Sequence, residues 1–404
     1  MTPEALWEEA ADRLQEVWRQ DRSREQRIYV RLQEAFQRAE IHGSDLAPEM
    51  GYAFHPVGLG KLEGVLSHYF RAEAALVRSQ MVSGTHALTM ALEALVPDGG
   101  LVLVATGAPY DSLWPVLGLA GSHPGSLPAQ HGVRVQVVDL TAPRALADAA
   151  ERYRPDVVLV QRSRGYADDP SRSVAECDQI CRHFWASGVV TIVDNCYGEF
   201  VEEDEPASGA HGIVVGSLIK NPGGTLAPSG AYVVGAERLV QRVGERLFGA
   251  ALGRAPGPTP GGIRPYVQGL HLAPHLVCEA IAVSRQAAYL FGRMGYDVDP
   301  MAESIRTDLV LRIRTGGEAK LLAAMRALQA QMPIDAHLVP EPAAWPGYRN
   351  AVVMAGAVFV PGGTLELSAD APMRPPFDLF LQGGLSPAQA RVPLLAMANA
   401  IGAA

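Results

Sequence analysis

The chain has 404 residues, 48% of them hydrophobic and 19% charged, with a formal net charge of −9. That length points to one large domain with a smaller second one, and the composition excludes an intrinsically disordered chain. The negative balance leaves no basic stripe to neutralise phosphates, which sets nucleic acid aside as a partner.

Residues 1–40 carry Leu6, Ala10, Leu14 and Val17, then Ile28, Leu32, Ala35, Phe36 and Ala39, at helical spacing. Acidic residues interleave the arginines between Arg13 and Arg38, so this segment reads as a solvated amphipathic helix. A connector rich in Gly and Pro, "HGSDLAPEMGYAFHPVGLGK", follows, and the next spacing predicts a helix over Leu62–Val77. "SGTHALTMALEAL" places Ala87, Leu88, Ala91, Leu92 and Leu95 on one helical face. The apolar runs "LVLVAT", "VRVQVVDL", "DVVLVQRS", "VVTIVDN", "GIVVGSL" and "GAYVVG" come next, with helical stretches at 142–153 and 172–187 among them. Short β-branched runs alternating with helices predict a mostly parallel sheet covered on both faces, an α/β class.

After about residue 240 the pattern breaks at "FGAALGRAPGPTPGGIRPY", and a long helix is expected over Ala273–Met294. "DLVLRIRT", a helix around 318–331, "AVVMAGAVFV" and "GTLELSA" suit a smaller α+β domain. The expected division is an N-terminal helical segment at 1–50, a large domain at 51–270 and a small domain at 271–404. Four cysteines are too few for a disulfide framework, and no run approaches the ~18 apolar residues of a membrane span. The chain opens with no charged-then-apolar leader, so a cytoplasmic protein that does not enter the membrane is expected. Cys177, Cys181 and His183, or His271 and His275, do not make the four-ligand set of a zinc site, and no metal is expected.

In open α/β sheets ligands gather at the carboxyl ends of the strands. Ser83-Gly84-Thr85 opens a helix with small residues and exposed N–H groups, an arrangement that either cradles a phosphate or simply caps the helix. "VVTIVDN" ends in Asp194, a costly place for a carboxylate unless it meets a cation or a donor; its plain role is to cap the next loop. "GSLIKNPGG" delivers Lys220 from a buried strand into a flexible turn. A phosphate turn, a buried acid and a strand-end amine are the three groups that pyridoxal 5′-phosphate needs. Tyr110, just past "LVLVAT", is placed either to stack on such a ring or to hinge a loop.

The stretches "ALVRSQMVSGTHAL", "QRSRGYADDPS", "VDNCYGEFVEEDEP", "GSLIKNPGGTLAPSGAYVVG", "LAPHLVCEA" and "LELSADAPMRPPFDLFLQGGL" resemble the methionine gamma-lyase-related family. Its members are also labelled aluminium resistance proteins or cystathionine beta-lyase family proteins. The resemblance runs from about residue 50 to about 385. It implies a fold-type-I pyridoxal-phosphate enzyme, a large domain with a mostly parallel sheet plus a smaller α+β C-terminal domain. It also implies a carbon–sulfur lyase acting on a small sulfur-containing amino acid, with the active site at the subunit interface of a homodimer or homotetramer.

By the same resemblance the Schiff-base lysine is Lys220, and the partner of the pyridine nitrogen is Asp194. The phosphate turn is Ser83, Gly84 and Thr85, with Ser217 a further phosphate ligand, and the ring-stacking aromatic is Tyr110. Ser163 and Arg164 fall where a group would contact the cofactor's phenolic oxygen or the substrate. Arg374 is the candidate for gripping the substrate carboxylate, its plain alternative being a surface arginine before Pro-Pro. Tyr52 is the candidate phosphate ligand reaching into a neighbouring subunit. The family's connector reads Gly-Tyr-Gly-Tyr-Asp-Asp-x-Gly-Arg, whereas this chain has "GYAFHPVGLG", with Leu59 in the arginine's place and His55 and Pro56 replacing the acids. Transamination and non-catalytic cofactor binding are the competing readings, since fold alone does not fix the reaction.

Overall fold

Apolar strands alternating with amphipathic helices build the larger part of the molecule. The structure, a computed structural model, describes residues 1–121, 123–356 and 358–403. The first half runs α1 (Pro3–Arg13), α2 (Gln15–Ala39), α3 (Val57–Tyr69), β1 (Ala74–Arg78), α4 (Gly84–Leu95), β2 (Leu101–Val104), α5 (Leu127–His131), β3 (Arg134–Val137), α6 (Pro143–Leu146), α7 (Ala149–Tyr153), β4 (Val157–Gln161), α8 (Val174–Trp185) and β5 (Val190–Asp194). It continues with β6 (Gly212–Ser217), β7 (Ala231–Gly235), α9 (Glu237–Phe248) and α10 (Arg264–Arg293). The remainder is β8 (Asp297–Asp299), β9 (Leu311–Arg314), α11 (Glu318–Gln329), β10 (Val352–Gly356), β11 (Ser368–Pro372), β12 (Asp378–Gln382) and α12 (Pro387–Ala403).

The first seven strands form one sheet in the order β1-β7-β6-β5-β4-β2-β3. β7 pairs antiparallel with both β6 and β1, and every other pairing is parallel. Side chains alternate across it as a strand's period of two requires. Val214 of β6 joins α2, α3, α8 and α10 on one face, while Ile213 and Val215 join α4 and α9 on the other. Both faces are therefore buried, which explains why these strands read as unbroken apolar runs.

The last five strands form a second sheet, β10-β11-β12-β9-β8, antiparallel throughout and packed with α11 and α12. Helix α10 serves both cores: Ala273, Val277 and Ile281 lie in the large one, and Val283, Ala287 and Phe291 in the small one. The N-terminal segment divides likewise, Leu6 and Trp7 of α1 packing in the small core and Ile28 and Leu32 of α2 in the large. A buried Arg285–Asp21 pair (Nε to Oδ2, 2.7 Å) ties α10 to α2. No helix among the described residues is long and apolar enough to cross a membrane.

Three elements differ from the sequence-based expectation. The helix expected over Leu62–Val77 is α3 followed by strand β1. The chain leaves the helix at Arg71, whose φ is +53°, and all five residues of β1 are buried. A fully buried strand has no alternation to distinguish it from a continuing helix. The long helix begins at Arg264, nine residues before the expected start, because Pro265 fits the first turn and Pro274 is accommodated inside. The strand expected at "GTLELSA" falls on Ser368–Pro372.

Candidate active site

β4, β5 and β6 end at Gln161, Asp194 and Ser217, and all three residues open into a cavity of about 710 Å³. The N-terminus of α4 forms one wall and residues of β10, β11 and the 334–348 loop form the roof. The volume lies within the range of a small-molecule site.

Lys220 comes three residues after the end of β6 and lines this cavity. Its amine rests on the face of Tyr197, 3.6 Å from the ring centroid. Burial works against the ammonium, but the Tyr197 phenol and then Cys196 outweigh it and hold the amine above the ordinary lysine range. The next residue, Asn221, fixes the turn: its Nδ2 donates to the Glu199 carbonyl (3.0 Å), and its Oδ1 accepts from Thr364 of the small domain (3.1 Å).

Asp194 is 3% exposed and accepts the Cys196 N–H at 3.1 Å. Burial raises its pKa, opposed by Cys196 and by Lys220. A carboxylate so enclosed gains from a cation brought against it. Ser83 caps α4 by accepting the His86 N–H (3.1 Å), which leaves the remaining N–H groups of the first turn aimed at the cavity. A Cβ at Gly84 would lie 2.8 Å from Cys196 Sγ, so backbone alone fits there. The Ser217 hydroxyl is buried without a hydrogen-bond partner among the described residues, an unusual state for a polar group.

Tyr110 closes the side of the cavity, its hydroxyl 2.8 Å from Thr85 Oγ1 and its N–H donated to Gln161 Oε1 (2.8 Å). Burial and then Asp194 keep the phenol protonated far above its ordinary range. Gly165, at φ +57°, passes so close that a Cβ would meet Tyr110 Cβ at 2.9 Å. Ser163 lines the same wall but donates its hydroxyl to Asp308 (2.6 Å), so toward the cavity it offers acceptor lone pairs only.

The structure therefore brings Ser83, Gly84, Thr85, Tyr110, Ser163, Asp194, Ser217 and Lys220 together in one cavity. It does not bring Tyr52, Arg164 or Arg374 into the lining. Arg164 is buried and pairs with Asp299. Arg374 donates to the Tyr166 carbonyl (2.9 Å), close enough behind the wall to oppose the burial-driven rise of the Asp111 carboxyl. Tyr52 is 74% exposed and stacks on Phe54 with centroids 5.3 Å apart. Sequence reasoning passed over Tyr166, Tyr197, Tyr348 and Asp370, which also line the cavity. The first two lie inside motifs already singled out, "QRSRGY" and "VDNCYGEF"; Tyr348 stands in an irregular loop with no signal.

The orphan Ser217 hydroxyl, the open helix turn and the enclosed Asp194 fit the phosphate and the ring nitrogen of pyridoxal phosphate, with Lys220 beside them. Comparison with known proteins agrees. The family model described as "Methionine gamma-lyase" matches residues 4–402. Protein YnbB of Bacillus subtilis, itself uncharacterized, is 35% identical over 362 residues, 88% of this chain and 86% of that one. A Listeria monocytogenes structure provisionally described as a cystathionine beta-lyase involved in aluminium resistance superposes with a TM-score of 0.91 at 33% identity, covering 98% of this chain and 100% of its own. A carbon–sulfur lyase involved in aluminium resistance from Clostridium novyi gives a TM-score of 0.90 at 30% identity, covering 98% of this chain and 94% of that one.

Proposed function

The chain belongs to the methionine gamma-lyase family of pyridoxal-phosphate-dependent lyases, and from that premise we propose that it breaks a carbon–sulfur bond in a sulfur-containing amino acid. The observation that carries this is the convergence of Lys220, Asp194 and the partnerless Ser217 hydroxyl in one enclosed cavity.

Ser83, Gly84 and Thr85 would hold the cofactor's phosphate with α4 backbone N–H groups, helped by Ser217. Asp194 would face the ring nitrogen, and Tyr110 would pack against the ring. When bound, the cofactor supplies an electron sink for charge that develops at the substrate α-carbon. The protein's part is positional. Lys220 Nζ, steadied over Tyr197 and by the Asn221 turn, takes the proton from the substrate Cα. Asp194, shielded from water, keeps its charge beside the nitrogen that must stay protonated. The roof from the small sheet encloses the reacting atoms. Departure of the thiol from Cβ then gives a 2-keto acid and ammonia; departure from Cγ needs a second proton to leave Cβ.

Incubation with cystathionine, cysteine and methionine, with ammonia and keto acid measured, tests this reading. Equal release of ammonia and keto acid from at least one of them is expected, and lost in Lys220→Ala. Amino-group transfer to an added keto acid, without free ammonia, would overturn it. We also infer assembly with a second copy through the exposed Met50, Tyr52, Phe54 and Val57, which brings Tyr52 to the neighbour's cavity. Light scattering showing a monomer would refute that.

A further inference from the structure

Beyond the groups assigned to the cofactor, the cavity holds one more enclosed carboxylate. Asp370 sits in the middle of β11, the one residue of that strand that is not fully buried, and it opens into the cavity. Its contacts within the protein are slight: Gln382 Nε2 at 3.5 Å and the Tyr166 phenol, with Lys220 the one cation acting on it. Three tyrosines share this lining with it. Tyr166 and Tyr348 lie with centroids 5.7 Å apart, and Tyr197 carries the Lys220 amine at 3.6 Å. The Asp370 charge acts on all three phenols. The described lining contains Asp111, Asp194, Asp335, Glu341 and Asp370 against a single basic side chain, Lys220. Glu341 is already paired with Arg326, at 2.7 Å, but Asp370 has no basic partner within salt-bridge distance among the described residues.

An enclosed carboxylate without a basic partner favours a cation brought against it. The Lys220 ammonium, held on the face of Tyr197, is the cation whose charge opposes the burial-driven rise of the Asp370 carboxyl. We propose that Asp370, with Tyr166 and Tyr348 of the same lining beside it, seats a positively charged group at the far end of the substrate side chain. The enzyme then selects sulfur amino acids carrying such a charge over neutral ones of the same length. As a statement about substrate class this rests on the lyase reading, but the seat itself can be tested separately.

L-Ornithine and L-norleucine have side chains of equal length, one cationic and one neutral, and neither has a sulfur to lose. Calorimetric titration of the holoenzyme should show ornithine bound about tenfold tighter or more, as expected for a charge-assisted contact. Asp370→Asn should abolish the preference while leaving norleucine unchanged, and Asp370→Glu should keep most of it. Should Asp370→Asn fail to take up the cofactor, Tyr348→Leu serves instead, with the preference falling about threefold. Ornithine bound no tighter than norleucine, including no binding of either, overturns the proposal, as does a preference that survives both substitutions. Turnover of S-(2-aminoethyl)-L-cysteine against S-propyl-L-cysteine is read alongside. A binding preference without release of ammonia from either compound sinks the lyase reading and leaves the seat standing; equal release from both with no binding preference does the reverse.

Discussion

Replacing Ser217 with alanine should move two measurements in opposite directions. The Ser217 hydroxyl is buried at the end of β6, and no protein group among the described residues bonds it. An unmet buried polar group costs about 1–3 kcal/mol, and alanine removes it while keeping the Cβ that packs beneath Gly84. The cofactor-free variant should therefore be more stable than the parent by about 1 kcal/mol, the low end of that range because a small void is left. With the cofactor bound, the hydroxyl donates to a charged phosphate, a contact of about 1.5–3 kcal/mol, so the variant's affinity should fall about ten- to 150-fold. Urea unfolding of the cofactor-free protein gives the first quantity, and absorbance titration with pyridoxal phosphate the second. A less stable variant with unchanged cofactor affinity would show that the hydroxyl is satisfied within the protein and is no phosphate ligand.

Gly84→Ala would place a methyl 2.8 Å from Cys196 Sγ at the phosphate turn; overpacking of about 1–3 kcal/mol should weaken cofactor binding about 5- to 150-fold, and adding Cys196→Ala should restore most of it. Failure of the second change to rescue the first would place the effect elsewhere. Gly269→Ala gains about 1 kcal/mol in helix propensity but drives a Cβ to 2.0 Å from the Gly223 carbonyl, in the turn after Lys220. The clash should win, with net loss of stability in urea unfolding; a stabilised variant would refute the close packing of α10 on that turn. Burial pushes Glu199, beside Tyr232, up to about 8 from an ordinary 4.5. Between those values the folded protein holds a proton that the unfolded chain has released, so stability drains away as pH rises through the window, by at most about 1.4 kcal/mol per pH unit. Glu199→Gln should remove that slope, so its stability relative to the parent grows from pH 5.5 to pH 8 in urea unfolding; parallel curves would refute the assignment.

Much of this architecture could be read from one sequence because burial on both faces leaves a plain mark. β2, β4, β5, β6 and β7 are short apolar runs bounded by turns, and amphipathic α4 and α8 lie between them. The same property hid β1: with every residue buried it shows no period, and it pairs with β7, the partner most distant from it in sequence. In the small sheet the signal is weaker still. β11 reads "SADAP", with an aspartate at its centre and a proline at its end, and nothing local marks it as a strand. What makes it one is pairing on both sides, with β10 and with β12.

That difference carries over to the site. Ser83, Asp194, Ser217 and Lys220 all stand at ends of elements whose direction the α/β pattern fixes, so their convergence followed once the sheet was recognised. The candidacy of Arg374 rests on its position after a strand whose register the sequence does not display. Because β11 begins at Ser368, Asp370 is the residue turned into the cavity, and Arg374 lies past the strand's end, bonded to the Tyr166 carbonyl. A one-residue change in register exchanges the faces of a strand. The chemistry of the roof, an acid among tyrosine rings, thus depends on an antiparallel pairing that no local pattern encodes, while the floor beneath it depends on strand ends that the sequence displays openly.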